Sequence, residues 1–182
     1  MVMVTDSICF AVYRDRIYVE ESARGFLIAV FDGSGKKLYE IKKDIEARKI
    51  TEEDKKAIFK NFKEDSFVNL LAKSQGGWEN FKKTREFIYP HTFPAIKDLI
   101  VTGGRIYVST YETRDNKEKY IIMDLKGKIL STPYMPVPQE SSFVSKTLGR
   151  GNRFYGIVDN TYYYLQENEE NEEWELHVTD IK

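Results

Sequence analysis

The chain repeats one strand-and-turn phrase, and this repetition limits the folds that it can adopt. The first copy, RIYV at residues 16–19, leads into a run that ends at Asp32 and a glycine-containing turn. The second copy, RIYV at residues 105–108, leads in the same way to Asp124 and its own glycine turn. The phrase combines residues that favour strands with a turn, so it predicts a repeated antiparallel β unit.

A third copy is weaker but keeps the spacing. Residues 160–164 read NTYYY, and Asp180 follows Thr161 at the distance at which Asp124 follows Arg105. The runs around each copy predict units of four, four and three strands, joined by short turns.

The predicted units have a helical segment between the first and the second. Thr51 followed by Asp54 is a helix-start signature, and apolar residues then recur at helical spacing. The β-capable run at residues 1–5 is a candidate for the missing fourth strand of the last unit. Pro133, Pro136 and Pro138 predict a loop rather than a strand. The expected limits are about 7–45 for the first unit, 46–88 for the helical insertion, 94–132 for the second unit and 150–182 for the third.

The composition suits one domain and argues against several kinds of site. The chain has 182 residues, of which 41% are hydrophobic, enough for a sizeable core. Its 28 Lys and Arg nearly balance 29 Asp and Glu, so no net field draws in nucleic acid. One cysteine and two histidines leave no Cys/His zinc site. We therefore expect no metal, no other cofactor and no nucleic-acid partner.

The apolar runs are too short for a membrane helix, which needs about 20 residues, so we expect no membrane insertion. The opening MVMV lacks the basic start and the apolar stretch of a secretory signal, so the sequence as given predicts no signal peptide. The compartment is left open.

The repeated phrase resembles the blades of NHL-like six-bladed β-propellers. In such blades a second strand of the form x-I-Y-V leads to a third strand that ends in Asp before a glycine-containing turn. The run ITEEDKK at 50–56, followed by YPHTFPAIKDLIV at 89–101, is similar to a segment of bacterial six-bladed propeller proteins, which are usually exported. The resemblance implies an all-β propeller of three four-stranded antiparallel blades, half of a six-bladed ring, with a helical insertion at about 46–88.

Three blades cannot close a ring, because the end blades would leave apolar faces and a strand edge uncovered. Two solutions stay open. In one, the chain forms a homodimer that completes a six-bladed ring, with residues 1–5 of the same or another chain completing the last blade. In the other, the chain is part of a longer propeller whose missing half covers these faces.

Three aromatic residues of the helical insertion are candidate binding residues. If the insertion covers a propeller face, Trp78, Phe81 and Phe87 would line a pocket or a partner surface. Packing of the insertion onto its own blade explains the same residues, and we expect this simpler role.

Three polar residues are further binding candidates. His91 lies in a proline-flanked loop, where function often resides, but no nucleophile accompanies it. Arg150 and Arg153 flank a turn and would suit an anion, although exposed turn residues are the simpler interpretation. Cys9 is expected to be a buried hydrophobe and His177 a solvent-facing strand residue. No catalytic residue is assigned.

Propellers serve both as binding scaffolds and as enzymes, so function must be argued from the site. Some six-bladed propellers are calcium-dependent hydrolases with acidic and amide side chains on the innermost strands. Here these strands are apolar, with only Asp98 and Asp159 near them. We therefore expect a non-enzymatic binding or interaction module. The alternative is a hydrolase or lyase whose site needs the missing blades or a second chain. A purely structural half-propeller is the third possibility.

Overall fold

The computed structural model describes residues 2–4, 8–21, 24–137, 155–168 and 173–181. The chain divides into two compact units. One unit contains residues 49–93 together with the N-terminal residues, and is helical. The other contains the stretches 6–48, 94–139 and 155–182, and its described residues form antiparallel sheets. A mostly β fold with few helices was expected, and the structure confirms it at this level.

Sheet I is a four-stranded antiparallel meander in the order β1-β2-β3-β4. Its strands alternate apolar and polar residues or are wholly apolar, as strands with one or two covered faces do. Arg14, with φ of 55°, lies in the tight turn between the first two strands. The strand bounds are β1 Phe10–Tyr13, β2 Arg16–Glu20, β3 Phe26–Asp32 and β4 Lys37–Lys43.

Sheet II repeats this meander and adds a fifth strand. The bounds are β5 Asp98–Thr102, β6 Arg105–Arg114, β7 Lys117–Asp124, β8 Ile129–Ser131 and β9 Tyr134–Pro136. Both β8 and β9 pair with β7, β8 near its end and β9 near its start.

The strand β9 corrects the prediction of a loop at the prolines. Pro136 pairs with Lys117, and the Pro133 carbonyl accepts a hydrogen bond of 2.8 Å from the Tyr120 amide. The strand lies at the edge of the sheet, where only one side needs ladder hydrogen bonds. A proline there loses its N–H without breaking the sheet.

Sheet III comprises three strands within the described residues, in the order β10-β11-β12. The bounds are β10 Tyr155–Val158, β11 Thr161–Asn168 and β12 Glu173–Asp180. The turn between the first two strands has positive φ at Asp159 and Asn160, as a two-residue hairpin requires.

The same aspartate turn closes the third strand of sheets I and II. Asp32 Oδ1 accepts hydrogen bonds from the amides two and four residues later, at 2.9 and 3.0 Å. Asp124 makes the equivalent bonds at 2.9 and 2.8 Å. Each turn ends in a glycine with positive φ, 83° at Gly35 and 88° at Gly127. The repeated phrase therefore encodes one geometry, with a register shift in β3 and in β7 at the same place.

Sheet II lies between the other two sheets of its unit. Residues of β6 such as Ile106 and Val108 face sheet I, in a core that also contains Tyr18 and Ile28. The alternate residue Tyr107 faces sheet III, in a second core. The first strands of the three sheets are neighbours, with β1 beside β5 and β5 beside β10.

The helical unit contains three described helices, α1 Glu52–Glu64, α2 Ser66–Ser74 and α3 Trp78–Lys83. Thr51 and Asp54 form a capping box at the start of α1, as the sequence predicts. Asp65 caps α2 by accepting from two backbone amides. None of the described helices is long and apolar enough to cross a membrane.

The N-terminal residues lie in the helical unit. Val2 forms a parallel bridge with Ile88, the Met3 amide donates to the Ile88 carbonyl at 2.9 Å, and the Met3 side chain is buried. The use of residues 1–5 as a fourth strand for sheet III stays a prediction.

Candidate functional site

The candidate aromatic residues lie in the core of the helical unit. The Trp78 and Phe81 ring centroids are 5.2 Å apart, and Phe87 lies 5.2 Å from Phe59. Phe81 is buried, and the Trp78 Nε1 donates to Asn69 Oδ1 at 2.9 Å. The structure thus brings the three candidates together, and their rings pack on neighbouring helices in edge-to-face contacts.

The polar candidates are not brought together by the described structure. His91 is exposed, and its carbonyl accepts a hydrogen bond from the Ile50 amide. Arg150 and Arg153 lie outside the described residues. Cys9 packs partly buried against the core between sheets I and II. The His177 ring stacks on Tyr164 with centroids 4.8 Å apart, so it is not simply solvent-facing.

A polar group lies at the start of the first strands. The Tyr155 hydroxyl at the start of β10 donates to Asp98 Oδ2 at the start of β5. Next to it along the chain, Lys97 forms an ion pair with Glu118, which is buried. The first contact ties sheet III to sheet II. The ion pair lies within sheet II and neutralises the buried Glu118 carboxylate. Among the described residues no group of three side chains could hold a metal ion.

Buried tyrosines fill the space between sheets II and III. The rings of Tyr120 and Tyr162 meet edge to face with centroids 6.0 Å apart, and the Tyr162 hydroxyl donates to the Pro136 carbonyl at 3.0 Å. Burial raises the pKa of both phenols well above the usual value. Between sheets I and II, burial raises the pKa of Tyr18 to about 12. None of these groups suits acid–base chemistry near neutral pH.

A small cleft in the sheet unit is too small for an organic ligand. It measures about 40 Å³ and is lined in part by Arg48, Tyr111 and Glu112. Hydrogen bonds from Lys119 and Tyr134 lower the pKa of Glu112, so its carboxylate is already bound within the protein. Ligand pockets usually enclose about 300 Å³ or more.

A further candidate surface is the face of sheet I that points away from sheet II, here called the A face. Phe10 and Val12 are 66% and 61% exposed. The residues at the same register positions in sheet II, Leu99 and Val101, are 0% and 7% exposed because sheet I covers them. The A face is the β1–β2 part of this side and consists of Ile8, Phe10, Val12, Ile17 and Val19. On β3, Leu27 and Ala29 lie on the same side and are 1% and 7% exposed.

A matching surface lies on the face of sheet III that points away from sheet II, here called the B face. Leu176 and Val178 are 62% and 57% exposed. At the same register positions of sheet II, Tyr120 and Ile122 are each 1% exposed because sheet III covers them. The B face consists of Tyr163, Leu165, Trp174, Leu176 and Val178.

Sheet I also has residues at the register positions of the B face. Ile28 and Val30 occupy the register positions of Leu176 and Val178, and both are fully buried against sheet II. In the order I, II, III, each internal interface thus joins the same face of one sheet to the opposite face of the following sheet. Sequence reasoning did not single out these residues, although their alternation and their place in the repeated phrase would have identified them.

A scan against protein-family models and searches of curated proteins and of solved structures find no match for this chain.

Proposed function

We propose that the chain is a non-enzymatic binding and interaction module built on a β-propeller of the NHL-like six-bladed kind. In this proposal, sheets I, II and III are consecutive blades and the A and B faces are its contact surfaces. The resemblance of the repeated phrase to propeller blades supports the proposal, as does the position of the first strands next to one another. In a propeller the first strand of each blade lies nearest the common axis.

One observation carries the proposal. Sheet II is covered on both faces, whereas the β1–β2 part of sheet I and the outer face of sheet III expose residues whose equivalents in sheet II are covered. Apolar faces of this kind mark surfaces that meet a partner. A partner of the same architecture would bury Phe10 and Val178 as Leu99 and Ile122 are buried.

The chemistry of the described residues favours binding over catalysis. Asp98, one of the two acidic residues near the inner strands, is hydrogen-bonded to Tyr155. Glu118 is paired with Lys97. The first contact joins sheets II and III, the second lies within sheet II, and the A and B faces offer apolar area for a partner.

The test uses one charged substitution on each face. Val12→Glu and Val178→Lys change exposed residues, so we expect unfolding midpoints close to that of the wild type. The matched control is Leu130→Lys, at a residue of β8 that is 48% exposed and lies on neither face.

The readouts are the binding of an apolar dye and the sedimentation of the purified chain. If the faces are open in solution, the wild type should bind the dye. If other copies of the chain cover them, the wild type should sediment as an associated species. Either property should be reduced in Val12→Glu and in Val178→Lys, each of which keeps the other face, and unchanged in Leu130→Lys. The proposal fails if both face variants match the wild type in dye binding and in association.

A further inference from the structure

We infer that the partner of each face is a second copy of this chain, with the B face of one copy packed on the A face of the other. This inference deepens the proposed function and rests on it. Two such contacts, related by a twofold axis, would join two arcs of three sheets into one closed ring.

The internal interfaces show which face of each sheet meets the following sheet. In the internal interfaces, Ile28 and Val30 of sheet I face sheet II, and their equivalents Tyr120 and Ile122 of sheet II face sheet III. The next equivalents are Leu176 and Val178 on the B face. By the same rule they would face the next sheet in the series.

The second step identifies that next sheet. The surface that receives sheet I is formed by Leu99 and Val101 together with Ile106 and Val108. Their equivalents in sheet I are Phe10, Val12, Ile17 and Val19, which form most of the A face. The A face therefore has the chemistry and the register that the B face requires.

The third step is the choice of a second copy as the occupant. One chain carries one face of each kind, and they belong to different sheets at opposite ends of the series. Two copies satisfy both faces through two identical B-to-A contacts, which is how a head-to-tail contact closes. Additional sheets of a longer chain could cover the same two faces instead, and the experiment below distinguishes this case because the chain would then stay monomeric.

A polar contact at the internal interface supports the same arrangement. Across sheets II and III, Arg105 Nη1 donates to Asn160 Oδ1 at 2.6 Å, and the Tyr107 hydroxyl lies 3.4 Å from the same oxygen. Asp15, in the turn between β1 and β2 of sheet I, is the equivalent of Asn160 and is exposed. Tyr163 on the B face has the position of Tyr107. A B-to-A contact would bring Tyr163 of one copy to a carboxylate acceptor on the other.

The experiment is sedimentation velocity on the full chain over a concentration series. The inference predicts a species of two chains, twice the 21.3 kDa of one chain. Val12→Glu and Val178→Lys should each weaken this association by at least about 30-fold, the effect of losing one interface hot spot. Leu130→Lys should leave it unchanged.

A mixture of the two face variants tests the direction of the contact. A pair with one chain of each kind has one unaltered B-to-A contact and one contact that carries a lysine and a glutamate. We therefore expect the mixture to form a two-chain species more strongly than either variant alone. A contact between two identical faces predicts no such recovery and would overturn the inference.

Two further outcomes would overturn it. A chain that stays monomeric at all concentrations has no second copy on its faces. If that monomer binds the apolar dye and Val12→Glu and Val178→Lys each reduce the binding, the proposed function survives and another partner, or more sheets of a longer chain, covers the faces. Association into polymers of growing size would mean that B-to-A contacts form in an open series. That result would overturn the closed pair of chains.

Discussion

Gly35 and Gly127 occupy the same position in the repeated aspartate turn but have different surroundings. Both have positive φ, which L side chains adopt only at a cost. A Cβ on Gly35 would meet nothing within 4 Å, whereas a Cβ on Gly127 would lie 2.5 Å from Ile41 Cγ2. The turn of sheet II is thus pressed against sheet I, while the turn of sheet I has no such neighbour among the described residues.

This difference predicts unequal effects of one substitution. Gly35→Ala should lower the free energy of unfolding by about 1 kcal/mol, from backbone strain alone. Gly127→Ala should lower it by about 2–4 kcal/mol, because overpacking against Ile41 adds to the strain. Urea unfolding followed by circular dichroism measures both values.

The control is the same substitution after the neighbour has been shortened. In an Ile41→Ala background, the loss caused by Gly127→Ala should fall towards that of Gly35→Ala. Equal losses for the two glycines in the wild-type background would contradict the packing of sheet II on sheet I at this point.

The buried tyrosines predict a loss of stability at alkaline pH. The pKa of Tyr120 and that of Tyr162 are raised by burial, and the unfolded chain releases these protons near pH 10. Above pH 10 the folded state therefore holds more protons than the unfolded state, so the free energy of unfolding falls as pH rises.

Absorbance at 295 nm should show two groups among the 12 tyrosines, with the buried phenols ionising only as the protein unfolds. Tyr120→Phe keeps the ring and removes one such phenol. Its stability should fall less steeply above pH 10, by about 1.4 kcal/mol per pH unit. An unchanged slope would mean that Tyr120 is accessible to hydroxide in the folded protein.

At the scale of single elements, the start of α2 depends on one side chain. Asp65 Oδ1 accepts from the amides of Phe67 and Val68 at 3.0 and 3.1 Å, and Asp65 is buried. Asp65→Ala should destabilise the helical unit by about 1–2 kcal/mol, whereas Asp65→Asn keeps an acceptor oxygen and should cost less.

The two tryptophans allow this effect to be assigned to one unit. Trp78 lies in the helical unit and Trp174 in sheet III, so in a Trp174→Phe background the fluorescence reports the helices. Denaturant unfolding of Asp65→Ala and Asp65→Asn in that background measures the difference. Equal losses in the two variants would show that the side-chain oxygen is not what stabilises the start of α2.

The elements also show how far the sequence can be interpreted. The capping box at Thr51 and the turn at Asp32 depend on local chemistry, and both were predictable. The strand β9 was not, because a proline excludes a central strand but is tolerated at an edge, and edge position depends on the whole sheet. For Trp78 a packing role was expected, and within the helical unit its ring contacts Phe59, Phe62 and Phe81.

At the scale of the whole sheet unit, burial depends on which sheets are neighbours. Ile122 and Val178 stand at the same position of the same phrase, yet one is buried and the other exposed. The sequences of their strands differ, because β7 carries the continuous apolar run Tyr120 to Met123, whereas β12 alternates apolar and polar residues. The sequence predicts uncovered apolar faces on the end units, but the residues that form these faces could be named only once the order and register of the sheets were known.

The central claim is that a second copy continues the series of sheets, and a cross-link between two copies tests it most directly. Arg105 and Asn160 meet across sheets II and III, and their equivalents are Thr161 on sheet III and Asp15 on sheet I. Asp15→Cys and Thr161→Cys are placed on separate chains in a Cys9→Ser background. The two chains are then mixed and treated with a short bis-maleimide.

The account predicts a covalent species of two chains in the mixture and little of it in either variant alone, because each cross-link needs one cysteine of each kind. The absence of that species from the mixture, or equal amounts in the single variants, would contradict the packing of sheet III of one copy on sheet I of the other.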